Sequence, residues 1–505
     1  MRAEKRKSSF RQRLLQRYGL NIQPELMRQP WVLPGWMIGW PIGCFLIAFA
    51  ACTIVFGRAM EPRYAIIASA SVILFLYGGY LLSRSMVRSA EPVFLRQVFS
   101  FGLFIHLLWV AYCYFCFNPD YYETTWGDSA DVVWYMPYGK AMADWLTGDT
   151  KATFGMLMKE WRGGLDDTGY PMWLAIEYLL TFRQSDVLVP MIVKAVLSTY
   201  CAISIYHVAK RHFGIGTARY AAVFVTLNPN MIYWCGTMMK EPEMVFLCCL
   251  FVDKMDQAIS AGKMTFRTLW PALLAGLALF FFRSALGMVA FLAVITHLVF
   301  VSRRVLSAGK KVIAGVLIAL TLVIGMGERL RTQVDVVTES IQSNDQQTNM
   351  DFRTKRKGGN SFAKYAGTAV FAPLIFTIPF PSFNIASEGQ IVQRMLSGGS
   401  YIKNILSFFV IFVMFIMLLS GEWRRHVFII AYTCGYMVTL AMSSFAQSGR
   451  FHMPVMPMLM LFAAYGIQIA NGNVRLRRGF SLILILEVVI SLGWNWFKLK
   501  GRGMI

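Results

Sequence analysis

Apolar residues run along this chain in long, nearly unbroken blocks. They show neither the alternation of a half-buried strand nor the one-sided period of a surface helix. Blocks of this kind cover about 36–56, 64–82, 98–117, 187–208, 218–234, 242–258, 268–282, 284–302, 311–327, 402–420, 427–446, 452–470 and 479–497. A helix needs about 20 apolar residues to cross a bilayer. The pattern therefore predicts an all-α, polytopic transmembrane bundle of about 13 spans between residues 36 and 497. Two apolar stretches fit less well. Residues 170–181 are too few to span, and 366–383 are interrupted by Pro373, Pro379 and Pro381. Both are expected on the outer side as re-entrant or surface segments, because non-helical backbone survives at membrane depth only under a cover of protein or water.

Charge sets an orientation. The chain carries 49 Lys and Arg against 27 Asp and Glu, a net charge of +22. In membrane proteins such an excess collects in short cytoplasmic loops. With the basic N-terminal segment 1–35 placed inside, every cytoplasmic segment is basic. These segments carry Arg84, Arg88 and Arg96; Lys210, Arg211 and Arg219; Lys254, Lys263 and Arg267; Arg303, Arg304, Lys310 and Lys311; Arg424 and Arg425; and Arg475, Arg477 and Arg478. The C-terminal tail 498–505 then ends outside, and its Lys498, Lys500 and Arg502 run against the rule. The same sorting explains the pI of 9.7 without nucleic acid as a partner. A 56% hydrophobic, 15% charged composition excludes a soluble globular enzyme, a disordered chain and a disulfide scaffold. The nine cysteines lie mostly in apolar runs, so Cys113 and Cys116 read as lipid- or helix-facing rather than metal-binding.

Two large outer loops remain, 118–169 and 328–401. The first holds nine of the 27 acidic residues, and the second a basic cluster of Arg353, Lys355, Arg356 and Lys357. Charged residues at the outer ends of spans are functional candidates, because charge near the membrane interior is costly. They are Asp128 and Asp131 in the acidic loop; Asp166, Asp167 and Tyr170 where it returns; Lys240, Glu241 and Glu243 after Asn228-Pro229; Arg283; and Arg450 with His452. A carboxylate at the water edge can act as a general base. Basic groups on the same side can hold a phosphate, Arg by a planar fork and Lys as a point charge. Plainer readings stand beside these. Asp128 could cap the helix that begins near Asp131, Arg283 could snorkel to headgroups, and His452 could be a packing histidine. Carboxylates of the acidic loop could also supply oxygen ligands to a divalent ion, although no spacing requires one.

The acidic loop with Gly127-Asp128 and Asp131 resembles the catalytic loop of GT-C type glycosyltransferases. These integral membrane enzymes use polyprenyl-phosphate-linked sugars. The run from Leu227 through Asn228, Pro229 and Trp234 to Lys240-Glu241 is similar to a segment of many bacterial members. Phe376 with Pro379 and Pro381, and Gly449-Arg450 through Pro457, look like later segments of such enzymes. Three spans precede the acidic loop here, where many members have one. The resemblance implies an inner-membrane enzyme that moves a sugar from such a donor to a glycan or lipid-linked acceptor on the outer face. It implies Asp128, with Asp131 second, as the group that activates the acceptor. It leaves Lys240, Glu241, Arg283, Arg450, His452, Tyr170 and Asp167 to bind the lipid phosphate and substrate. A polysaccharide repeat-unit polymerase and a lipid-linked sugar transporter are the alternatives.

Overall fold

The computed structural model describes residues 32–57, 62–116, 130–160, 167–183, 187–261, 265–301, 374–383, 394–443, 446 and 448–501. Among them every regular element is helical. The first three membrane-length segments are α1 (Gly39–Phe56), α2 (Pro62–Ile73) continued through a π turn into α3 (Gly79–Ser85), and α4 (Glu91–Cys116). The acidic region folds as α5 (Ala130–Thr147), α6 (Phe154–Glu160) and α7 (Gly169–Leu180). Next come α8 (Leu188–Phe213), α9 (Ile215–Leu227), α10 (Pro229–Cys235), α11 (Glu241–Ala261), α12 (Phe266–Phe282) and α13 (Ser284–Val301). The chain closes with α14 (Arg394–Ser420), α15 (Val427–Ala441), α16 (Gly449–His452), α17 (Met456–Asn471) and α18 (Val474–Gly501).

Seven segments among the described residues are long and apolar enough to cross a membrane: Gly35–Phe56, Ile66–Ser85, Glu91–Cys116, Leu188–Phe213, Met395–Ser420, Gly449–Asn471 and Val474–Gly501. Four shorter apolar helices accompany them. The expected span 311–327 lies outside the described residues. The expected span 218–234 is not one helix. At Asn228 the backbone turns extended, and its side-chain oxygen accepts the N–H groups of Asn230 and Met231 at 3.0 and 3.3 Å. Asn at an N-cap followed by Pro229 at the first helical position starts a new helix by its own chemistry. His106 of α4 donates to the Thr226 carbonyl beside this break at 3.2 Å.

Helices α9 and α17 are buried almost all round and form the centre with α8, α11 and α14. Helices α1, α4, α12 and α18 keep one apolar face outward, as Ile54, Phe104, Leu274 and Leu482 show. Close approach is achieved with glycine. A Cβ at Gly398 of α14 would lie 2.8 Å from the Ala68 carbonyl oxygen of α2. Small residues at such crossings let backbones meet where lipid gives no hydrophobic push.

The proline-rich stretch is not a helix. Residues 374–383 form a turn and an extended segment with Ile378, Phe380 and Phe383 buried. Side chains satisfy its backbone. Asn495 donates to the Pro381 carbonyl at 3.2 Å and accepts from the Phe383 N–H at 2.7 Å, and Ser397 donates to the Ser382 carbonyl at 2.6 Å. Ser407 and Lys403 donate to Phe376 and Ile378. This is how irregular backbone persists inside a helical bundle.

The two ends of the bundle differ. At one end Arg219 donates to the Met86, Val87 and Ser89 carbonyls, Lys210 pairs with Glu91 at 2.6 Å, and Arg211 bridges Asp253 and Asp256 at 2.8 and 2.6 Å. Thr217 donates to Gln468, and Trp36 donates to Asn471 at 3.4 Å. The segments holding Arg84 and Arg88, Lys210 to Arg219, and Lys254 thus meet, with the helix ends beside Trp36 and Arg475, at one end. The far end of α18 lies at the opposite one, where Lys498 donates to Ser382 at 2.6 Å.

Candidate functional site

The end of the bundle away from the basic segments gathers charged groups from α7, α8, α11, α12 and α16. Its foundation is the docking of α7 against α12. A Cβ at Gly169 would lie 2.6 Å from the Phe282 ring and 2.9 Å from backbone of Phe281, so only glycine lets the two helices touch. That contact brings Asp167, just ahead of α7, onto Lys240, and the two form an ion pair. Lys240 also donates to the Phe282 carbonyl at 2.9 Å. That carbonyl closes α12, where the helix dipole favours a cation.

One residue further on, Glu241 opens α11. Acids in a first helical turn sit well against the dipole, and Glu241 and Glu243 are both fully buried. Glu241 pairs with Arg450 of α16. Among the described residues its second carboxylate oxygen has no hydrogen bond.

Arg283 caps α12 with extended backbone and turns to neutral partners. It donates to the Tyr436 hydroxyl at 3.1 Å and lies over the Phe451 ring at 4.3 Å. Tyr436 in turn donates to the Phe451 carbonyl at 2.9 Å. Arg450 approaches the same ring at 5.6 Å, so two guanidinium groups are drawn to one aromatic ring by cation–π attraction. Among the described residues no carboxylate pairs with Arg283. Lys240 and Arg450 are thus offset by carboxylates, whereas the described partners of Arg283 are neutral.

Other residues singled out from the sequence fall differently. Tyr170 is fully buried and accepts a hydrogen bond from Lys194 at 2.6 Å. His452 turns away from Arg450. It is buried, bonds the Ala446 carbonyl at 2.7 Å and accepts from Lys403 at 2.9 Å. That geometry is the packing role weighed for it. Asp131 lies in the first turn of α5, with its side chain undescribed; Asp128 and Asp166 lie outside the described residues. Among the described residues no group of three His, Cys, Asp or Glu side chains is placed to hold a metal ion.

Sequence reasoning missed Lys194, Tyr436 and Lys403. The two lysines carried a usable signal, since each is one ionisable residue inside an apolar run. Tyr436 carried none, because its role depends on where Arg283 and Phe451 fall in space.

Acidic residues outside the bundle have simpler roles. Asp149 pairs with Arg183 on the exposed rim of α5 and α7. The guanidinium holds that carboxyl below its usual range.

The basic end holds a second cluster. His212 contacts Asp256 through Nε2 at 2.7 Å and His426 through Nδ1 at 2.7 Å. The carboxylate can only accept, so His212 Nε2 carries a hydrogen. Only one hydrogen fits between the two Nδ1 atoms. His426 also stacks on Phe213 at 4.7 Å. Burial above all, with His212 and the Arg425 guanidinium nearby, pushes its pKa from 6.5 down to about 3. The unfolded chain then binds the extra proton between those values, so stability present above pH 6.5 is lost as pH falls through the window. Between pH 7 and 5 the loss should be on the order of 1–2 kcal/mol. Thermal melts of purified protein should show it, and the His426→Phe variant should melt with a shallower pH slope. Equal slopes would remove His426 as the cause.

Compared with known proteins, the chain matches no family model, no curated protein and no solved structure.

Proposed function

We propose that this chain is a membrane glycosyltransferase of the GT-C type. In this reading it moves a sugar from a polyprenyl-phosphate-linked donor to a glycan or lipid-linked acceptor on the outer face of a bacterial inner membrane. The observation that supports it is Arg283, a guanidinium held by a tyrosine and a phenylalanine with no described carboxylate beside it. A cation kept this way suits a departing phosphate, whose growing charge it stabilises in place.

The step is a substitution at the sugar's anomeric carbon. The acceptor hydroxyl forms the new C–O bond, the bond to the phosphate oxygen breaks, and the hydroxyl proton passes to a carboxylate. The family resemblance assigns that carboxylate to Asp128. Arg283 holds the leaving phosphate, and the ion pairs Asp167–Lys240 and Glu241–Arg450 fix the walls around it.

The test is transfer of radiolabelled sugar from a lipid extract by purified protein, with wild type beside Asp128→Asn. Activity in wild type and loss of at least about 100-fold in a folded variant supports the reading. Transfer that survives in the variant points to the polymerase. Absence of transfer, with labelled lipid crossing vesicles instead, points to the transporter.

A further inference from the structure

Beneath the ion pairs lies a fully buried lysine on α8. Lys194 Nζ donates to the Tyr170 hydroxyl at 2.6 Å and to the Thr237 carbonyl at 2.7 Å, and stands 3.8 Å from Glu243 Oε1. Tyr170 follows Asp167 by three residues on the α7 side. Thr237 precedes Lys240 by three residues in the turn between α10 and α11. Glu243 follows Glu241 by two. One ammonium group thus ties together the segments that carry Asp167, Lys240 and Glu241. Burying a lysine is costly unless it is paired and hydrogen-bonded, and this one is met from three elements at once.

We infer that Lys194 is a positioning residue for the outer site: it sets Asp167 against Lys240 without touching substrate. This rests on the glycosyltransferase reading for its kinetic part alone. The geometry separates two duties. Arg283 is anchored by Tyr436 and Phe451, on α15 and α16, and shares no contact with Lys194. Loss of Lys194 should therefore leave donor-phosphate binding nearly intact. It should misplace the Asp167–Lys240 wall, and a displacement near 1 Å can cost about 100-fold in rate.

The experiment uses full-length protein in lipid nanodiscs, with wild type, Lys194→Met and Tyr170→Phe. The second variant keeps the ring packed against Tyr135 at 4.8 Å and removes one hydroxyl, so it retains the fold should the first fail. Hydrogen–deuterium exchange should speed up in 167–181 and 236–244 and stay unchanged at the basic end. Turnover per folded molecule should fall about 10- to 100-fold in Lys194→Met, with donor KM within about threefold. Unchanged exchange in both segments overturns the inference whatever the activity. Faster exchange with undiminished turnover overturns it too. If wild type transfers no sugar to any acceptor, the glycosyltransferase reading fails. Exchange then decides the role of Lys194: local loosening upholds it, and no loosening removes it.

Discussion

Replacing Arg283 by alanine is expected to lower sugar transfer by about 100- to 1,000-fold, the cost of losing one preorganised group aimed at developing charge. The thermal midpoint should stay within a few degrees of wild type. Both halves follow from its partners. Arg283 bonds a tyrosine hydroxyl and covers a phenylalanine ring, so its removal strands no described buried carboxylate. Arg283→Lys should recover little of the loss. It keeps the charge but forfeits the planar fork that spans Tyr436 and Phe451. Initial rates in proteoliposomes, beside melts of the same preparations, check this. A rate within threefold of wild type would take Arg283 out of the reaction.

Arg450 should behave in the opposite way. Its partner Glu241 is fully buried, and among the described residues the other oxygen of that carboxylate has no hydrogen bond. Arg450→Leu therefore leaves a buried charge alone, at an expected cost of about 3–5 kcal/mol. Glu241→Leu in the same chain should restore most of that stability, since an apolar pair of similar volume often replaces a buried ion pair without loss. Transfer should remain low in the double variant, because the charged wall beside Lys240 is gone. Denaturation of the two single variants and the double variant closes the cycle. Additive losses would mean that the pair contributes no coupling.

The helical architecture was legible because membrane-length apolar runs have few other readings. Where the reading slipped, polar residues inside the packing misled it. Helix α14 begins at Arg394, eight residues before the apolar run at 402, because Ser397, Gly398 and Ser400 of the added turns are packed inside, Gly398 against Ala68. Lys403 meets Ile378 and His452, and Asn404 donates to Glu487 at 2.9 Å. Helix α4 likewise starts at Glu91, whose carboxylate is held by Lys210. Both depend on neighbours distant in sequence, which hydropathy cannot register. The candidate site was legible in part for the same reason. Asp167 with Lys240, and Glu241 with Arg450, were flagged as charges at helix ends, but their pairing required the fold. Lys194 was averaged away by the apolar residues around it.

Helices α8 and α11 run side by side between the two ends, and ion pairs join them at both. Lys194 meets Glu243 near one end, and Arg211 meets Asp253 and Asp256 near the other. Along α8 the two cations are roughly 25 Å apart at 1.5 Å per residue. All the cations in this joint come from α8 and all the carboxylates from α11, so sliding in either direction separates unlike charges at both ends together. A slip of one helical turn, about 5.4 Å, would break every one of these bonds in a single stroke. The two helices therefore act as a keyed shaft: any change that slides one along the other must first separate these ion pairs.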